Sequence, residues 1–357
     1  MDDRLKKVAA FLKKQNAKFK KEYGADVLYA GDEAGNFEPF PTGFPTIDNV
    51  NSGIGGFPRG GITLIHGLES TGKTTLVLEA IHNAMVADEN IVALYNDVEN
   101  ALTEDFLNFK NVFPDRLTIT PLNTEDGLTI IKNAIAEDLY DIIVIDSLAK
   151  LDSKNMMTGD VNDKKQRNQR ARIITEFLRF ISFTLRKSRT ALVLINQEIE
   201  NQDRKTKYDP ATVLPCGKQQ VFSANLRLQI KRSKKIKKGQ HVVGYLCSVL
   251  SIKNKIAPYE RAKTFLSYLY NQGYIQEYSV LDYLVMTGVL KKNMGVYSFV
   301  DSKYSMGKVK ASDIMEVIEG IRDNYGVDLL QIPEEPIKFD TDKAVEVVVD
   351  DDESDDP

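Results

Sequence analysis

Cysteine is nearly missing from this 357-residue chain, which holds only Cys216 and Cys247. Two cysteines cannot build a disulfide scaffold or a structural zinc site. Histidine is almost as scarce. His66, His82 and His241 are scattered along the sequence, which argues against a metal-dependent hydrolase. No apolar run approaches the roughly 20 residues that a membrane-spanning helix requires. The lysine-rich N-terminus lacks an apolar h-region, so no secretory signal is expected there. What is present is 42% apolar residues, enough for a core, in a length that suits one large α/β domain with a smaller partner. We therefore expect a soluble cytoplasmic enzyme with no membrane partner.

Net charge is −4, but the average hides a polarity. Residues 340–357 hold nine acids and one lysine, a net −8, which leaves +4 on the rest (−4 against −8). A mildly basic body with an acidic tail suits an anionic partner whose access is moderated.

One stretch organises the chain, ITLIHGLESTGKTTLVLEAI at residues 62–81. It reads as a short apolar strand, a loop and a helix. The loop fits G-x-x-x-x-G-K-[ST], with Gly67, Gly72, Lys73 and Thr74 in the fixed places. Glycine lets the backbone wrap a polyphosphate, so that N–H groups along Leu68, Glu69, Ser70, Thr71 and Thr75 and the helix N-terminus face negative charge. Lys73 then reaches the β- and γ-phosphates, and the Thr74 hydroxyl can hold Mg²⁺.

Residues 3–23 form an amphipathic helical pattern, with Leu5, Val8, Ala9, Leu12, Phe19 and Tyr23 near one face and seven lysines on the others. A Gly-rich connector follows, so residues 1–36 read as an arm for a neighbouring subunit as well as a helix for the chain's own domain. From 37 to 272, short β-branched runs alternate with helical patterns: ITLIH, IVALY (91–95), DIIVIDS (141–147) and TALVLIN (190–196). Such alternation predicts a mostly parallel βαβ sheet. LRLQI (226–230) and LCSVLSIK (246–253) read as later strands joined by a basic turn. Residues 273–335 predict a small α+β domain, with helices over 280–290 and 311–325 and a hairpin in GVYSFVDSKYSMG between them. The acidic residues 336–357 read as a disordered tail.

Each strand end supplies one chemical part. After IVALY come Asp97 and Glu99, at the carboxyl edge where open α/β sheets bind ligands. Either acid could orient and deprotonate a water that attacks the γ-phosphate. DIIVIDS ends in Asp146, placed to help hold Mg²⁺. TALVLINQ ends in Asn196 and Gln197, amides suited to sensing a γ-phosphate.

With TGFPTIDNVNSGIGGFPRG, GLESTGKTTL, DVENAL, IVIDSLAKL, LVLINQ, HVVGYLCSVLSIKNKIAPY and the acidic end in this order, the chain resembles the RecA family of strand-exchange recombinases over nearly its whole length. The resemblance implies a RecA-like P-loop NTPase core that uses ATP and Mg²⁺. Glu99 looks like the catalytic glutamate of the family's AEHAL motif. Phe106 falls where the family stacks a tyrosine on adenine, and Tyr270 joins it among the nucleotide-binding residues. Gln197 resembles the switch between γ-phosphate and DNA. Lys253 and Lys255, in KNKIA, resemble the pair that reaches the γ-phosphate of the adjacent subunit, the logic of an arginine finger.

DNA contact is then implied in two loops. The first, residues 152–172, carries five cations between Lys164 and Arg172, with Met156 and Met157 as a wedge between bases. Arg172 and Arg179 match basic family positions that contact DNA. The second, residues 198–217, implicates Ile199, Gly217 and Lys218. It departs from the family by beginning EIENQD where basic residues stand, and by ending Cys216-Gly217 in place of Gly-Gly. KRSKKIKK (231–238) adds six cations in eight residues to the attraction for phosphates. The implied function is an ATP-dependent recombinase that forms a homo-oligomeric helical filament on single-stranded DNA and pairs it with double-stranded DNA. Single-strand-binding and loading proteins would be its partners. A ring helicase motor of the same superfamily and a non-catalytic ATP-binding accessory protein are the alternatives.

Overall fold

A computed structural model of the chain describes residues 3–23, 36–104, 107, 113–152, 165–202, 204–206, 208–257, 261–293, 296–301, 304, 309–325 and 328–330. It contains two compact units that divide between Phe37 and Glu38. The first holds helix α1, Asp3–Tyr23, with the bounds that its apolar period predicts. On that helix Leu5, Val8 and Phe11 are exposed.

In the second unit, the continuous apolar runs lie inside one sheet of nine strands. These are β3 (Ile62–Gly67), β4 (Ala93–Asp97), β5 (Leu117–Thr120), β6 (Ile142–Asp146), β7 (Ala191–Gln197), β10 (Leu226–Lys238), β11 (His241–Asn254), β12 (Lys263–Leu269) and β13 (Gly273–Tyr274). Two-residue ladders join β1 (Pro39–Phe40) to β2 (Phe57–Pro58), and β8 (Ile199–Glu200) to β9 (Thr212–Val213). The sheet order is β13-β12-β11-β10-β3-β7-β6-β4-β5. From β10 to β5 every pairing is parallel, and β11, β12 and β13 extend the sheet antiparallel. The expectation of a mostly parallel α/β sheet therefore holds. β5, β12 and β13 were not foreseen, because RLTIT and KTFLSYL carry polar residues and lack a continuous apolar run.

Alternate residues of each strand face opposite sides. Ile65, Val144 and Val193 pack with Leu76, Val77 and Ile81 of helix α2 (Lys73–Ala87). Leu64, Ile143 and Leu192 pack with Leu128 and Ile131 of α3 (Glu125–Ala136) and with Ile174, Leu178 and Ile181 of α4 (Lys165–Lys187). Each such side chain, fully buried, contributes ~1.5–3 kcal/mol. At the start of α3 the Thr124 hydroxyl accepts a hydrogen bond from Asp126 N, and Glu125 and Asp126 complement the helix dipole.

Three local expectations are corrected. The basic run 231–238 is strand, not turn. β10 pairs with β3 only over Leu226–Gln229, and its basic half pairs with β11 alone as an extended hairpin around Gly239. Lysine repulsion does not prevent this, because those side chains stand in solvent and only Ile236 turns inward. Of the proposed first DNA loop, residues 165–172 are the opening turns of α4, while Met156 and Met157 lie outside the described residues. After the short helix α5 (Gln219–Ser223), the helix expected over 280–290 is α6, Gln276–Met286. It stops before Gly288, whose φ of +76° would strain any other residue. Leu290 then opens the hairpin of β14 (Leu290–Asn293) and β15 (Val296–Phe299), which begins upstream of the segment expected to form it and takes its second strand from that segment. The acidic tail lies outside the described residues.

The C-terminal elements share a third apolar cluster, in which Leu281, Leu284, Phe299 and Tyr304 meet Ile314, Ile318 and Ile321 of α7 (Ile314–Tyr325). Asp282 sits within this region, 7% exposed, and its Oδ1 has no hydrogen-bond partner. Burial raises its carboxyl to about 8, and the Lys292 charge offsets only part of that effect. Because the folded pKa lies above the unfolded one, this contribution to stability is complete below about pH 4 and is lost as pH rises to about 8. Asp282→Asn removes the ionisable group. Thermal unfolding should show the variant gaining on the wild type as pH is raised from 4 to 8, and a gap that does not change with pH would contradict this.

Candidate active site

Parallel register gathers the chemistry at one sheet edge. Gly67 pairs with Gln197 across β3 and β7, and Asp97 pairs with Asp146 across β4 and β6. These are the carboxyl ends of the strands, where open α/β sheets bind ligands. A cleft of about 310 Å³ opens there, lined by Glu69, Ser70, Thr71, Gly72, Lys73, Thr74 and Thr75 of the loop and α2, and by Glu99, Asp146, Ser147 and Gln197.

The loop is tightly held from outside. A Cβ on Gly67 would lie 2.2 Å from the Ile230 carbonyl oxygen of β10. Gly72 has φ +86°, and a Cβ there would lie 2.5 Å from the Tyr274 hydroxyl. That hydroxyl donates to Thr71 O at 3.1 Å. Only glycine meets both constraints. Helix α2 begins at Lys73, so the free N–H groups of its first turn face the loop. Lys73 Nζ donates to Gly67 O at 3.2 Å and to Leu68 O at 2.8 Å. Burial lowers its pKa, and Asp146 and Glu99 oppose that effect.

Asp146 is the centre of the acidic side. Its Oδ2 accepts from Thr74 Oγ1 at 2.6 Å and from Tyr95 Oη at 2.7 Å. Burial raises its pKa despite these bonds, and the neighbouring Glu99 adds to the rise. A buried carboxyl and a hydroxyl in contact are hard oxygen donors, and a divalent cation beside them would favour the ionised acid. The residues present therefore fit Mg²⁺. Among the described residues no cluster of three His, Cys, Asp or Glu exists to hold a metal by protein groups alone, so phosphate oxygens and water would complete such a site.

The two candidate bases differ in their surroundings. Asp97 is buried, and its carboxylate accepts from Ala101 N and Leu102 N, at 3.1 and 2.9 Å. Glu99 lines the cleft, with Oε1 accepting from Ser147 Oγ at 2.7 Å. Asn196 does not reach the cleft. It is fully buried, donating to Pro215 O and Gln220 Oε1, and so ties down the end of the 198–217 loop.

Sequence reasoning missed one side of the cleft, formed by Arg232, Tyr245, Cys247 and Tyr268. The Arg232 guanidinium lies 4.4 Å from the Tyr245 ring centroid. Tyr270 stands outside this lining, edge-on to Tyr245 at 5.7 Å. Nothing in the sequence assigns these residues to the cleft, since strand alternation alone turns them toward the loop. Phe106 lies outside the described residues.

The remaining candidates lie elsewhere. Lys253 is opposite Arg227 in the β10–β11 ladder, and its Nζ donates to Val221 O and Phe222 O at 2.8 and 2.9 Å. Partial burial, then the Lys255 and Arg227 charges, bring it down to about 8. Arg172 and Arg179 are exposed on α4, with Arg172 paired to Glu176. Ile199, Gly217 and Lys218 are exposed at the two ends of the second loop.

Comparison with known proteins extends these observations. Residues 6–275 match the family model described as the RecA N-terminal domain. The chain is 33% identical to Protein RecA of Lactobacillus johnsonii, with 97% of each chain covered. It is 34% identical to Protein RecA of Bacteroides thetaiotaomicron, over 89% of this chain and 96% of that one. Against Protein RecA of Enterococcus hirae the identity is 31%, over 94% and 97%.

Asp97 and Glu99 are separable by stability. Asp97→Ala strips two backbone N–H groups of their acceptor and should cost about 1–2 kcal/mol, the scale of a lost helix cap. Glu99→Gln keeps an acceptor for Ser147 and should leave thermal unfolding unchanged. Equal losses in both variants would contradict the distinction.

Proposed function

The chain belongs to the RecA family, and on that premise we propose the residue roles by which it acts as an ATP-dependent DNA recombinase. It is a RecA-type recombinase and a DNA-dependent ATPase. The observation that supports the site assignment is the single sheet edge where the phosphate loop, Glu99, Asp146 and Gln197 converge on one cleft.

ATP places its phosphates on the loop N–H groups of residues 67–75, and Lys73 leaves its loop carbonyls to meet the β- and γ-phosphates. Thr74 and Asp146 would hold Mg²⁺, which would supply positive charge to offset that of the phosphates. Glu99, oriented by Ser147, accepts the proton of the attacking water. Gln197 reports the γ-phosphate to the loop that begins at Glu198. Phe106 and Tyr270 hold the base. Lys253 and Lys255 act on the nucleotide of the adjacent subunit, which makes hydrolysis depend on assembly.

In the same proposal residues 1–36 are the oligomerisation arm, 37–272 the ATPase core, 273–335 the small C-terminal domain and 336–357 a polyanionic tail. Met156, Met157, Arg172, Arg179, Ile199, Gly217 and Lys218 contact DNA without reading its sequence, because base pairing does that. The filament forms in the cytoplasm on single-stranded DNA, with single-strand-binding and loading proteins as partners.

ATP hydrolysis with and without single-stranded DNA tests this directly. Lys73→Ala should abolish nucleotide binding, and near-wild-type affinity would overturn the loop assignment. Glu99→Gln should keep ATP and DNA binding while turnover falls at least about 10²-fold, the usual scale for losing a general base.

The trans assignment has its own measurement. Lys253→Ala subunits mixed with Glu99→Gln subunits should recover part of the DNA-stimulated activity, because some junctions then pair an intact base with an intact cation. Co-assembled filaments with no recovery would refute it.

A further inference from the structure

Beside the cleft lies a buried polar network that the roles above do not use. Glu198 follows Gln197 directly and is 5% exposed. Its backbone N–H donates to Gly67 O at 2.9 Å, the same carbonyl that Lys73 engages. Its side chain spends both oxygens. Oε1 accepts from His66 Nδ1 at 2.7 Å and from Gln229 Nε2 at 2.6 Å, and Oε2 accepts from Thr212 Oγ1 at 2.8 Å.

His66 is 1% exposed and is the last side chain of β3 before Gly67. Its Nε2 lies 2.8 Å from Arg227 Nε. A guanidinium can only donate, so Nε2 must accept, and the imidazole is neutral with its proton on Nδ1. Burial alone would raise the Glu198 carboxyl, but the bonds from His66, Gln229 and Thr212 outweigh it and bring it down to about 2. Glu198 is thus an anion held between two elements of the fold. On one side is the strand that carries the phosphate loop. On the other is Thr212, which pairs with Glu200 where the 198–217 loop returns to the sheet.

We infer that Glu198 is a positioning residue, whose carboxylate holds the Thr212 strand of the second DNA loop in register with the His66 end of β3. The inference rests on the proposed role of that loop in binding DNA. A change at Gly67 or Gln197 reaches Glu198 through the backbone, and the Glu198–Thr212 bond carries it to the loop. Hydrogen bonds to a charged acceptor are shorter and stronger than neutral ones, which suits a link that must transmit displacement. Neither Glu198 nor Thr212 touches the nucleotide cleft.

The test uses the full-length protein, ATP and an oligo-dT strand. Three quantities are read: turnover without DNA, the KM for ATP, and the oligo-dT concentration that gives half-maximal stimulation. Thr212→Val removes the hydroxyl at constant shape, and Thr212→Ser keeps it. For Thr212→Val, turnover without DNA and the KM for ATP should stay within about twofold of wild type. The half-stimulating oligo-dT concentration should rise about 10-fold, the scale of one hydrogen bond to a charged group. Thr212→Ser should restore it. Glu198→Gln should shift the same quantity, and adding Thr212→Val to it should do no further harm, because both changes break one link.

Stimulation of Thr212→Val at the wild-type DNA concentration would overturn the inference and leave the recombinase assignment standing. So would equal shifts in the Val and Ser variants. A wild-type protein whose turnover ignores DNA would overturn both. Should Glu198→Gln fail to fold, the Thr212 pair decides, since Thr212 is only half-buried in a two-residue ladder.

Discussion

The backbone ladder through β4, β6, β7 and β3 sets the positions of everything in the cleft. Parallel pairing allows no slip without turning every side chain to the opposite face, and here both faces are buried. With that register held, Gly67 lies beside Gln197, and Asp146 beside Asp97. The phosphate loop is then clamped from the antiparallel side, where the Ile230 carbonyl and the Tyr274 hydroxyl leave room for glycine alone. A loop so confined presents its N–H groups without having to order them when a phosphate arrives. Such preorganisation is the main source of electrostatic stabilisation in enzymes.

Charge in the cleft is held under tension. Burial lowers the pKa of Lys73 and raises that of Asp146, so each is pushed toward its neutral form. Polyphosphate and a divalent cation would relieve both pressures together. Glu99 is exposed, and its Oε1 accepts from the Ser147 hydroxyl. Asp97 is buried, and its carboxylate is occupied by backbone N–H groups, so it shapes the turn that delivers Glu99.

The antiparallel strands do more than widen the sheet. β10 contributes Ile230 beneath the loop, Arg232 in the cleft, Arg227 and Gln229 to the buried network around Glu198, and exposed lysines along its free half. One strand therefore touches the nucleotide site, the base of the second loop and a cationic surface. Chemistry that elsewhere needs several loops is carried here by strand alternation.

Much of this was legible in the residues alone. The G-x-x-x-x-G-K-T spacing, the β-branched runs and the polar residues that end the strands are local signals, and local signals survive in one dimension. They located the phosphate loop and the parallel half of the sheet, and they placed Asp97, Glu99, Asp146 and Gln197 at the strand ends. The choice between Asp97 and Glu99 was not local, because it turns on whether Ala101 and Leu102 fold back to occupy a carboxylate. Nor could the sequence show that 231–238 extends as a strand, since a run of lysines names no partner until β11 supplies one. Asn196 and Glu198 flank Gln197 in the chain, yet only the structure sends one to Gln220 and the other to His66 and Thr212. Motif and period determined which residues reach the sheet edge. Pairing between strands far apart in the chain decided which of them meet, because hydrogen-bond partners at that distance are set by packing and not by spacing.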